Sequence, residues 1–150
     1  MLDSQSLIIK GHVDFKLYNQ YGELIDERAA SNAITKYGRT ILIQKAAGLM
    51  TATSNSADTI GIGTGTPSAT WLGNYIAWRT ASTTIQSTTA PYYATLSGTF
   101  PAGTGTGAIT EAALFSGIVS IGYNVVSFGA INKGATDTLT ISWQFSLTAT

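Results

Sequence analysis

Residues 138–148 read TLTISWQFSLT. Leu139, Ile141, Trp143, Phe145 and Leu147 fall on one parity, and Thr138, Thr140, Ser142, Gln144, Ser146 and Thr148 on the other. Successive side chains of a strand point to opposite faces, so this alternation predicts a strand with one buried and one wet side. The wet side holds hydroxyls and one amide, and no charge. Thr suits a strand because its branched Cβ fits the pleat. A long strand with such a face is a candidate for lying against another chain.

Residues 7–18, LIIKGHVDFKLY, repeat the pattern. Leu7, Ile9, Gly11, Val13, Phe15 and Leu17 alternate with Ile8, Lys10, His12, Asp14, Lys16 and Tyr18. NQYG at 19–22 is turn chemistry, and Glu23 to Arg28 returns as a second strand of a hairpin. One helix is expected near residues 34–47, where Ile34, Tyr37, Ile41, Leu42 and Leu49 fall close to 3.6-residue spacing. Ser31, Asn32 and Thr35 are candidate N-caps, and Gly48 is a stop. Gly38 weakens that helix by about 1 kcal/mol relative to Ala, which predicts a close packing contact at its turn.

Beyond a polar loop after Met50, short strands are expected near 59–62, 76–86, 92–100, 108–115 and 121–128, with the last turn at Ile131–Gly134. Residues 71–78 read equally as a helical turn or an irregular crossing. The sum is a mainly β chain, an antiparallel β-sandwich of about seven or eight strands with one helix. It forms a single domain over 1–150, with the hairpin and helix in 1–50 and the main strands in 51–150.

Composition narrows the function. Only 11% of the 150 residues are charged, against about 25% in an average soluble domain. Eight basic side chains balance eight acidic ones, which argues against a nucleic-acid partner, since such proteins carry a basic excess. One His and no Cys leave no basis for a zinc centre or a thiol nucleophile. The sparse acids make a calcium loop implausible, and no cofactor is expected. No apolar run approaches the roughly eighteen residues of a membrane helix, and residues 1–12 do not read as a secretory signal.

A few individual residues bear on chemistry. His12 shares its face with Lys10 and Asp14, an arrangement open to a general base with an orienting carboxylate. No serine or second base can be tied to it, and a wet strand face accounts for it better. GIGTGT at 61–66 lacks the Lys of a phosphate loop and runs into Pro67, so it reads as a turn. Eleven of the sixteen charged residues lie in the first fifty positions. Arg79 and Glu111 are isolated charges in apolar surroundings, and a structural ion pair between them is expected. A glycosidase would need a second acid near Glu111. Trp71, Tyr75, Trp78, Tyr92 and Tyr93 suit sugar stacking, but also core or subunit-interface anchoring.

Several segments occur together in order: FKLYNQYGELIDE, NAITKYGRTILIQKAAG, IGIGTGTPSAT followed by LGNYIAWR, TFPAGTGTGAITEAALFSG and INKGATDTLTISWQFSL. This set resembles small virion structural proteins of tailed bacteriophages. Its middle and end are similar in plan to the N-terminal domain of phage tail-collar and tail-fibre proteins, where a GxG strand, a short L-x-N/E…R segment and an I-x-E-x-G-L-F strand recur. Ala113 stands where a Gly is usual there, and no fibre extension follows Thr150, which favours a stand-alone unit. The resemblance implies a non-catalytic β-sandwich building block.

The expected role is therefore a capsid decoration (cement) protein of the virion that binds the major capsid protein shell. A homo-oligomer is expected, with a trimer favoured by symmetric closure. The expected interface is the wet face of the two clearest strands: Lys10, His12, Asp14, Lys16, Tyr18, Thr138, Thr140, Ser142 and Gln144. The alternatives are a tail-collar or fibre-attachment subunit and, from another class, a carbohydrate-binding module presenting Trp71 and Trp78 side by side.

Overall fold

The computed structural model describes residues 7–32, 34–48, 57–89, 92–116 and 122–149. Its strands are β1 (Leu7–Tyr18), β2 (Leu24–Asn32), β3 (Thr59–Gly63), β4 (Tyr75–Thr80), β5 (Ser82–Gln86), β6 (Tyr92–Phe100), β7 (Gly107–Phe115), β8 (Gly122–Lys133) and β9 (Thr138–Ala149), with helix α1 (Lys36–Ala46) between β2 and β3. They form a five-stranded sheet, β2-β1-β9-β6-β5, and a four-stranded sheet, β4-β3-β7-β8. Every strand pair is antiparallel. The expected sandwich is thus observed, with one strand more than the upper expectation.

The extra strand comes from residues 76–86. Their alternation reads as one strand, but the chain breaks at Ala81, whose N–H donates to the Asp58 carbonyl at 2.7 Å. β4 pairs with β3 and β5 with β6, so the break is a corner at which the chain changes sheet. Three other boundaries move. β2 runs on past Arg28 to Asn32, held by pairing with Gly11–Asp14 of β1. Ile34 is not helical: it bridges to Asn124 and is buried. β8 continues through the expected turn because Ile131 and Lys133 pair with Ile109 and Gly107. The turn falls at Gly134–Asp137, closed by Asp137 N–H to the Gly134 carbonyl and by Gly134 N–H to Asp137 Oδ2.

Period two delivers the core. Val13, Phe15, Leu17, Leu96, Phe100, Leu139, Ile141 and Trp143 from the larger sheet meet Ile60, Ile62, Ile109, Ala112, Leu114, Val126 and Ile131 from the smaller. Trp143 is fully buried at the centre, and the rings of Phe15 and Phe128 lie 4.1 Å apart. Each large side chain sequestered this way contributes about 1.5–3 kcal/mol. Lys133 joins them at 2% exposure. Its Nζ donates to the Pro101 carbonyl at 3.0 Å, and burial lowers its pKa, partly offset by Asp137.

The helix docks through its first turn. Of the three cap candidates Thr35 is the one used, its Oγ1 accepting from Gly38 N–H at 3.0 Å, while Ser31 and Asn32 belong to the end of β2. The Thr35 hydroxyl and N–H also bond the carbonyls of Gly122 and Tyr123. A Cβ on Gly38 would sit 2.7 Å from the Tyr123 carbonyl oxygen, which is the close contact the sequence pointed to. Gly48 closes the helix at φ +71°.

Tyr123 is 5% exposed, and burial, with Tyr37 and Asp58 adding repulsion, pushes its phenol up to about 12 from 10.0. A raised tyrosine pKa favours the neutral folded form. Its stabilising contribution is complete below pH 10 and disappears as pH climbs through the folded value. In urea titrations, wild type is expected to lose stability relative to Tyr123→Phe between pH 10 and about 12, and to keep a constant offset from it below that window.

Candidate functional site

Strand pairing assembles one polar surface on the outer side of the five-stranded sheet. Along β1 and β9, Lys10 faces Ser146, His12 faces Gln144, Asp14 faces Ser142, Lys16 faces Thr140 and Tyr18 faces Thr138. The residues nominated from sequence as an interface therefore share adjacent strands and one side. All of them are half-buried or exposed.

Sequence reasoning missed the continuation. β6 sets Thr95 opposite Gln144, Ser97 opposite Ser142 and Thr99 opposite Thr140, and β5 adds Ser82 and Thr84 beside them. The alternation of Thr95, Ser97 and Thr99 was visible, but which strand they flank is a non-local fact. The surface is hydroxyl-rich at its centre and charged along β1 and β2, where Glu27 lies across from Lys16. A shallow depression runs between Asp14, Lys16, Ser97, Thr99, Thr140 and Ser142.

His12 Nε2 lies 3.2 Å from Asp14 Oδ1, with the two side chains 46% and 50% exposed. The pair is a solvated contact on an open strand face. Water competes for both partners, so its coupling is weak.

Glu111 has a different environment from the one its sequence suggested. It is fully buried, and it does not pair with Arg79. Its Oε1 accepts N–H bonds from Gly65 at 3.0 Å and Asn74 at 2.7 Å, and its Oε2 one from Gly73 at 2.7 Å. Arg79 bonds the Thr104 hydroxyl at 3.0 Å instead. The expected ion pair is thus corrected to a carboxylate held by backbone amides. The reason is topological: Glu111 faces Gly63 across β7–β3, on the outer side of the smaller sheet. There the segment between β3 and β4 folds back and turns its N–H groups inward.

The glycines of GIGTGT serve that fold. A Cβ on Gly63 would lie 2.5 Å from the Asn74 carbonyl, and one on Gly65 2.7 Å from the Asn74 nitrogen. The segment is indeed a turn, and the anion that it cradles is the chain's own. Thr110 Oγ1 to the Gly65 carbonyl and Asn74 Nδ2 to Thr64 Oγ1, both 2.7 Å, complete the attachment.

Trp71 of the same segment stands edge-on to Phe115 at 4.8 Å and stacks on Tyr75 at 6.2 Å. With Leu72, Ala113 and Val125 it forms a second apolar cluster outside the sheet. Trp78 is 53% exposed. Trp71 is half-buried and packs on Phe115 and Tyr75, while Trp78 stands on β4 across from Gly61.

Among the described residues, no cluster of three His, Asp or Glu side chains could hold a metal, and no helix is long and apolar enough to cross a membrane. Comparison with protein-family models, curated proteins and solved structures gives no match.

Replacing Glu111 by Gln turns an N–H donor toward backbone N–H groups and removes the charge that strengthens the other bonds. Glu111→Gln is expected to cost about 2–4 kcal/mol in urea unfolding. Arg79→Ala should lie within about 1 kcal/mol of wild type. Equal losses in the two variants would restore the ion pair and refute the amide cradle.

Proposed function

We propose that the chain is a structural component of a tailed-phage virion, acting by adhesion as a decoration (cement) protein over the major capsid protein shell, and that it catalyses no reaction. The observation that carries this reading is the broad hydroxyl-rich face of the five-stranded sheet. Four of its five strands, about 4.8 Å apart over a run of about nine residues at 3.4 Å, span roughly 19 by 30 Å, and the five-residue β5 adds a further edge. That is close to the roughly 800 Å² that each partner contributes to a standard interface.

The chemistry of the face supports the same reading. Ser and Thr lose little rotamer freedom on burial, compared with Lys or Glu. Their hydroxyls both donate and accept, so they can satisfy a partner's polar groups without the desolvation penalty of a charge. Weak contacts of this kind become effective through repetition, because many copies bind one surface in parallel. A closed homo-oligomer, with three copies as the expected number, would multiply them further.

The resemblance to tail-collar domains supports a second site on the same particle, with the chain as an attachment subunit. The two differ in copy number. Quantitative mass spectrometry of purified particles should find the chain at hundreds of copies in the decoration reading, and at about a dozen or fewer in the tail reading. Its absence from particles would overturn both. Ser142→Lys places a charge at the centre of the face. This variant is expected to keep the wild-type unfolding midpoint and to lose incorporation by about tenfold or more, as an unpaired charge buried at a contact should.

A further inference from the structure

The two sheets do not end together. At the end of the sandwich near the start of β8, the inner side of the larger sheet continues beyond the smaller one. A cavity of about 550 Å³ opens there. One wall is Ile85 of β5, Ala94 and Leu96 of β6, and Phe145 and Leu147 of β9. The opposing wall includes Ile34 and Leu42. Ile85 is 71% exposed, so the mouth is open to solvent on the β5 side.

Asn124 lies at the inner end of this space. It faces Leu114 across β7–β8, which directs its side chain into the sandwich, and it is fully buried. Neither its Oδ1 nor its Nδ2 has a hydrogen-bond partner among the described residues, and the same holds for the buried Tyr123 hydroxyl beside it. Native structures rarely leave a buried amide without partners, because each orphaned group costs about 1–3 kcal/mol. An apolar pocket of this size with a few convergent polar groups has the anatomy of a small-molecule site.

We propose that this cavity binds a neutral amphiphile, an apolar chain or ring whose head group both donates and accepts hydrogen bonds, as a carboxamide does. The Asn124 amide is closed off from solvent in the ligand-free chain; turned toward the space on binding, it offers one donor and one acceptor, and a second amide complements both at once. No Lys, Arg, His, Asp or Glu is among the described residues lining the space, so an ionised head would be buried without a counter-charge. The apolar walls accept the chain. The site lies on the inner side of the larger sheet, away from the hydroxyl-rich outer face, and does not depend on the virion reading.

The test is titration calorimetry of the full chain with octanamide at neutral pH, beside octanoate. Octanamide is expected to saturate a single site, and octanoate to bind about tenfold or more weakly. Asn124→Leu keeps the volume and removes the amide; it should weaken octanamide about 10- to 100-fold, the effect of losing a buried hydrogen-bonded pair. Without ligand its unfolding midpoint should match or exceed that of wild type, because the orphaned amide is gone. Ala94→Trp, which fills the apolar end without touching Asn124, should also abolish binding. Failure of octanamide to saturate wild type would overturn the proposal, as would equal affinity in Asn124→Leu. A lower midpoint for the ligand-free Asn124→Leu would overturn it too, by giving that amide a structural role.

Discussion

A buried carboxylate with no cation paired to it among the described residues needs another source of compensation, and Glu111 finds it in peptide groups. Three backbone N–H donors converge on its two oxygens. Hydrogen bonds to an ionised acceptor are roughly twice as strong as neutral ones, and here the donors are fixed by the fold and need no side-chain ordering. The arrangement works only if the amides can approach, which forbids side chains at Gly63 and Gly65. One acid on β7 and a few glycines between β3 and β4 are therefore a single device. It fastens the β3–β4 connection to the outer side of the smaller sheet, where Trp71 and Leu72 then pack on Ala113 and Phe115.

That fastening makes the two sheets unequal. The smaller sheet is covered on its outer side by its own connection, and its surface there is apolar. Among the described residues the larger sheet has no such cover over β1, β9 and β6, and there the outer residues are hydroxyls, an amide and a few charges. The buried Glu111 cradle and the Thr140–Ser142–Gln144 row thus lie on the outer sides of different sheets.

Much of this was legible in local pattern. Strict alternation over β1 and β9 marked both strands, their inner faces and the residues of the polar surface. Period two is a property of the single chain and survives any choice of partner strand. The Thr35 cap was legible for the same reason, being set within a few residues, and Gly38 signalled a close contact without showing that Tyr123 makes it. Non-local facts were not. The corner at Ala81 interrupts no alternation, because the strand merely changes sheet and keeps its period. Glu111 and Arg79 looked like partners because each was the only charge of its sign nearby in sequence. Peptide N–H groups, which carry no letter in a sequence, took the place of the cation. Asn124 had no signal at all, since a lone Asn in an apolar strand reads as a weak β-former until its surroundings are known.

The edges decide how such a chain can associate. A sheet edge exposes unpaired N–H and C=O groups and invites strand addition. Here β2 carries Asp26, Glu27 and Arg28 along one edge, with Arg28 bonded to Asp26. β4 and β5, at six and five residues, are short, and β8 packs against β2 and α1. With the edges charged, short or covered, adding a strand is disfavoured at each of them. The broad outer face of β1, β9 and β6 is a face rather than an edge, and contact there would be made by side chains. Covering its β9 and β6 part would sacrifice hydration of hydroxyls, whereas covering Lys10, Asp14 and Lys16 of β1 would sacrifice hydration of ions.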